Sequence, residues 1–71
     1  MFRFNRALIL PVFLNRRITI WSLAKAAGVN YRAADRAVNG LPVQAPVVAG
    51  IADALNINPL DYLLPPAKKK D

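Results

Sequence analysis

Gly28 stands between two short stretches of helical pattern, and this placing restricts the fold more than any other feature of the chain. Upstream, the capping residue Thr19 leads into Trp21, Leu23, Ala24 and Ala27; downstream, a second cap, Asn30, leads into Ala34, Ala37 and Val38. Glycine takes the left-handed conformation that other residues resist, so it ends one helix and turns the chain before the next. The segment Ile18–Gly40 therefore predicts two short helices joined by a tight turn, with Val29 filling the corner. The small side chains of Ala24 and Ala27 allow a neighbouring helix to pack closely. The second helix sorts its residues by type: Tyr31, Arg32, Asp35, Arg36 and Asn39 share one sector, opposite Ala34, Ala37 and Val38. Such a pair suits insertion of one helix into a DNA major groove while the other braces it.

The flanking sequence supplies further helices. A first one is expected from about Phe4 to Asn15, dense enough in apolar residues to be buried on more than one side. Pro11 conflicts with it. In mid-helix proline removes a backbone bond and crowds the carbonyl of Ala7, costing about 3 kcal/mol. A kink is expected there, or an irregular first half with regular helix only after Leu10. The second helix starts after Thr19, and the third runs from Asn30 to about Val38, where Asn39-Gly40 stops it. Leu41 to Gln44 connect to a fourth helix, in which Pro46 suits the first turn. Val47, Val48, Ile51, Ala52 and Leu55 recur there at core spacing, and Gly50 marks a close packing contact. Asn58-Pro59-Leu60-Asp61 reads as the start of a short fifth helix ending near Leu64. Pro65-Pro66 forbids its continuation. The expected organisation is one domain over residues 1–64 and a flexible basic tail over 65–71. No internal repeat is visible, and no alternation is long enough to claim a strand.

Composition narrows the chemistry. Ten Lys and Arg oppose four acids, all aspartate, for a net charge of +6, which favours a polyanion as partner or else simply a basic surface. His, Glu and Cys are absent, so acid-base, metal and disulfide chemistry have no obvious carrier; the lone Ser22 has no base within reach. No enzyme activity, cofactor or metal is expected. A chain of 71 residues buries only about 60% of its unfolded surface, yet 55% of this one is hydrophobic, which suggests cover from a partner subunit. The apolar run Ala7–Leu14 is far short of the ~20 residues a membrane-spanning helix needs. It is followed by Asn15-Arg16-Arg17 rather than a small-residue cleavage site, so it reads as a core helix. Trp21 and the phenylalanines also read as core.

The run Thr19, Leu23-Ala24, Ala27-Gly28-Val29, Asn30, Arg36, Asn39-Gly40, followed by Ile51-Ala52-Asp53-Ala54-Leu55-Asn56-Ile57 and Leu60…Leu63, resembles the lambda-repressor/Cro-like helix-turn-helix family of the XRE type. The likeness covers residues 4 to 64. It implies an all-α, compact five-helix domain that binds double-stranded DNA as a homodimer in the cytoplasm of a bacterial or phage-infected cell. Two departures stand out. The family often places glutamine directly after the Thr cap, where it touches phosphate and props the recognition helix; here Ile20 and Trp21 occupy that place. Early in the third helix the family favours small polar residues, whereas this chain has Tyr31, Arg32 and Ala33.

The expected DNA-binding set is Thr19, Asn30, Tyr31, Arg32, Asp35, Arg36 and Asn39. Arg32 is the leading base reader, because a guanidinium grips guanine N7 and O6 with two parallel bonds. Arg36 is assigned to phosphate or to an ion pair with Asp53, and Tyr31 to a thymine methyl, a phosphate, or packing on Val29 and Trp21. Asn39 combines a helix cap with a phosphate contact, and Asp35 positions Arg32. Lys68 to Lys70 would each steepen the salt dependence by roughly 0.9 in log-log slope. Two rival readings stay open. One is a protein-interaction module of antitoxin or anti-repressor type, motivated by Ile20, Trp21 and the apolar first helix. The other is a membrane-surface peptide built on Phe2–Leu14. For a dimer interface the candidates are Phe2, Phe4, Tyr62, Leu63 and Leu64.

Overall fold

The computed structural model describes residues 1–64. Four α-helices follow one another: α1 (Arg6–Asn15), α2 (Ile20–Ala27), α3 (Tyr31–Val38) and α4 (Ala45–Leu55), then a single 3₁₀ turn at Pro59–Asp61. The fold is all-helical, but among the described residues there is no fifth α-helix. Asn58 does cap the last turn, accepting from the Leu60 N–H at 3.0 Å. The chain is then drawn off to pair elsewhere: the Asn5 N–H donates to the Tyr62 carbonyl and the Leu64 N–H to the Arg3 carbonyl. The basic tail expected over residues 65–71 lies outside the described residues.

Local chemistry sets the ends of the middle helices. Thr19 Oγ1 accepts from the Ser22 N–H at 3.1 Å, fixing the start of α2. Gly28, at φ 72°, closes it, and the Val29 N–H reaches back to the Ala24 carbonyl at 3.0 Å. Asn30 Oδ1 then accepts from the Ala33 N–H at 2.8 Å and starts α3. Because Thr19 is exposed, its loss removes little besides the cap. Thr19→Ala is expected to lower stability by about 1 kcal/mol. Urea unfolding would show this as a lower midpoint with an unchanged slope.

Against expectation, α1 begins at Arg6 rather than Phe4, with Asn5 as its cap, accepting from the Ala7 N–H. It is continuous helix through Pro11, so the irregular first half is not seen. The carbonyl that Pro11 leaves without an N–H partner belongs to Ala7, which lies one turn away; both residues are exposed, so water can serve it. α1 buries Ile9 and Phe13, while Leu8 and Leu14 stay exposed. It is thus covered on one side only.

The core joins all four helices: Ile9 and Phe13, Leu23 and Ala24, Ala34, Ala37 and Val38, and Val48, Ile51, Ala52 and Leu55. α2 packs on both α3 and α4. Gly50 of α4 lies so near the Ala27 backbone that any β-carbon there would collide with the Ala27 carbonyl oxygen. The close packing expected at Gly50, and the close approach expected of a helix at Ala27, are thus one contact between α4 and α2.

Residues 2–5 close the domain. Phe2 and Val43 exchange two backbone hydrogen bonds, each 2.8 Å, and Phe4 forms an isolated antiparallel bridge with Leu63. Phe4 is completely buried. As a dimer candidate it is corrected: its side chain is part of the core within one protomer. Among the described residues no single helix is long and apolar enough to cross a membrane, and α1 and α2 are bent 99° apart.

Candidate nucleic-acid interface

Accounting for the cations separates structural arginines from free ones. Arg3 Nε donates to the Gly40 carbonyl at 3.1 Å. Arg16 donates to the Leu55 carbonyl, placing a cation at the C-terminal end of α4, where the helix dipole favours it. Arg36 donates from Nε and Nη2 to the Pro42 carbonyl at 3.3 and 3.2 Å, tying α3 to the connector. The ion pair of Arg36 with Asp53 is not formed. Arg6, Arg17, Lys25 and Arg32 differ: all four are exposed, and none donates a side-chain hydrogen bond to another described residue.

Two of these free cations, Lys25 and Arg32, flank one feature. An open groove of about 810 Å³ runs between α2 and the start of α3, lined by the apolar or aromatic Trp21, Ala24, Val29 and Tyr31, the polar Ser22 and Asn30, and the cations Lys25 and Arg32. Trp21, expected in the core, is 71% exposed. Its ring meets that of Tyr31, itself 41% exposed, with centroids 4.7 Å apart and planes at 46°. Tilted pairs of this kind suit the aromatic quadrupoles. Where the resemblance implies a polar brace between the two helices, an aromatic contact joins them instead. Ile20 in turn packs against the core. The signal for Trp21 was present in the helical phase. Ile20, Leu23, Ala24 and Ala27 form an i, i+3, i+4, i+7 stripe, and Trp21 falls one residue, about 100°, off it.

The expected site residues divide into two groups. Asn30, Tyr31 and Arg32 are exposed at the α2–α3 corner and Thr19 at the other end of α2, with Thr19 and Asn30 engaged as caps. Asp35, Arg36 and Asn39 are half-buried and bonded within the protein. Asn39 Nδ2 donates to the Asp35 carbonyl at 2.8 Å and to Asp35 Oδ1 at 3.2 Å. The Asp35 carboxylate therefore holds Asn39, one turn on, rather than Arg32. Lys25 and Trp21 belong to the corner too, although sequence reasoning did not select them.

No protein-family model, curated protein or solved structure matches this chain.

Proposed function

We propose that this protein is a sequence-specific DNA-binding transcriptional regulator that works as a homodimer, with α2 and α3 as a helix-turn-helix and the N-terminal turn of α3 in the major groove. One observation carries the proposal: Arg32 sits exposed in the first turn of α3 with its guanidinium uncommitted, while Arg36, one turn on in the same helix, is spent on the Pro42 carbonyl. A base reader needs free donors on a helix held firmly from behind. The Arg36 bonds to Pro42 and the burial of Ala34, Ala37 and Val38 hold α3 in that way. In this account Arg32 grips a guanine, Lys25 meets phosphate, and Asp35 and Asn39 stiffen the helix end. The net charge of +6 draws the protein to the duplex, and its place of work is the cytoplasm.

Arg32→Ala is expected to cost about 1–3 kcal/mol in binding and to relax discrimination at one base position. Equal loss on specific and random DNA would make Arg32 a phosphate contact instead. The exposure of Trp21 favours a second reading, in which the same corner docks another protein, as in an antitoxin or anti-repressor. Titration with random duplex DNA at two salt concentrations separates the two. A steep salt slope supports DNA, whereas no binding even at low salt supports the protein partner.

A further inference from the structure

The groove at the α2–α3 corner is apolar where the proposed DNA contact is made, and this inference rests on that reading. Base edges in the major groove carry hydrogen-bonding groups with one exception, the 5-methyl of thymine, a group that 5-methylcytosine shares. We propose that the wall formed by Trp21 and Tyr31 holds the 5-methyl group of a pyrimidine lying next to the guanine that Arg32 grips.

Three features of the corner lead to this occupant. Tyr31 and Arg32, both in the first turn of α3, line the same groove, so it offers an apolar surface and a guanidinium together. Ala24 and Val29 add only aliphatic carbon from their side chains, and the two uncharged polar residues of the lining are engaged locally, Ser22 Oγ accepting from Thr19 Oγ1 and Asn30 Oδ1 from the Ala33 N–H. At the rim are Lys25 and Arg32, and none of the lining residues is acidic, so the charge suits a polyanion. The exposed indole then has a use: it is the surface that the methyl group covers. Trp21 becomes a specificity-determining residue alongside Arg32.

The test starts from duplexes that wild-type protein selects out of a random pool. The position read by Arg32 is found from the preference that Arg32→Ala loses. Thymine, uracil, cytosine and 5-methylcytosine are then placed in turn beside it. Trp21 is the only tryptophan, so its fluorescence reports occupancy of the wall directly. Uracil in place of thymine should weaken binding about fourfold, the effect of one buried methyl-sized group. Trp21→Ala should bind the two alike while unfolding as the wild type does, and Tyr31→Phe should keep the preference. A preference for 5-methylcytosine over cytosine alone would support the proposal with that base as the source of the methyl. Selective binding indifferent to both methyl groups would overturn it and leave the DNA reading standing. So would a tryptophan emission unchanged by bound DNA, which would return the wall to a protein partner. A pool with no enriched sequence would overturn the DNA reading and this proposal together.

Discussion

Phe4→Ala is expected to destabilise the domain by about 3–5 kcal/mol, the range for emptying a buried phenylalanine site. Phe4 precedes α1, yet it is fully buried and its backbone bridges to Leu63. A domain of 71 residues has roughly 4–10 kcal/mol of stability in all, at ~0.05–0.15 kcal/mol per residue. The variant should therefore lose about a third or more of that stability at 25 °C. Its backbone neighbours explain why the site cannot collapse easily. The Phe2–Val43 pair on one side and the Asn5 bond to Tyr62 on the other hold the segment in place. Urea denaturation followed by circular dichroism measures the loss; a change below about 1 kcal/mol would show that residues 2–5 do not close the core.

Gly50→Ala is expected to cost about 3 kcal/mol, at the upper end of ordinary overpacking. The direction is the informative part. In a solvent-exposed helix the same change gains about 1 kcal/mol from intrinsic helix propensity. Here the added β-carbon runs into the Ala27 carbonyl oxygen, which belongs to backbone and cannot rotate away. Moving α4 from α2 would also disturb Leu23, Ile51 and Leu55, all fully buried. Thermal unfolding of Gly50→Ala beside wild type decides it, and a raised midpoint would contradict the close packing of α2 on α4.

What was legible in the chain was chemistry within a few residues. Thr19, Gly28 and Asn30 set the ends of α2 and α3 through bonds to their own neighbours, and Val48, Ile51, Ala52 and Leu55 reached the core by their spacing. What was illegible depends on distant partners. Phe4 meets Leu63 through a single bridged pair, which leaves no alternation to detect. The same closure takes the chain out of the expected fifth helix after Asp61, although Asn58 and Pro59 mark a start. Arg16 reaches the Leu55 carbonyl across 39 residues, so its structural role could not be told from its charge. Trp21 is a different case: its large apolar ring suits a core, but its position off the α2 stripe leaves it exposed. At the corner, sequence placed Tyr31 and Arg32 together, but the commitment of Arg36 to Pro42 appears only in the folded connector.

That division of the arginines underlies the central claim, that the free first turn of α3 reads DNA. Selection of bound sequences from a random duplex pool tests it most directly. The account predicts an enriched two-fold symmetric motif containing guanine, with Arg32→Ala losing preference at one position in each half-site. Recovery of unenriched sequence, or an enriched motif that Arg32→Ala reads unchanged, would contradict it.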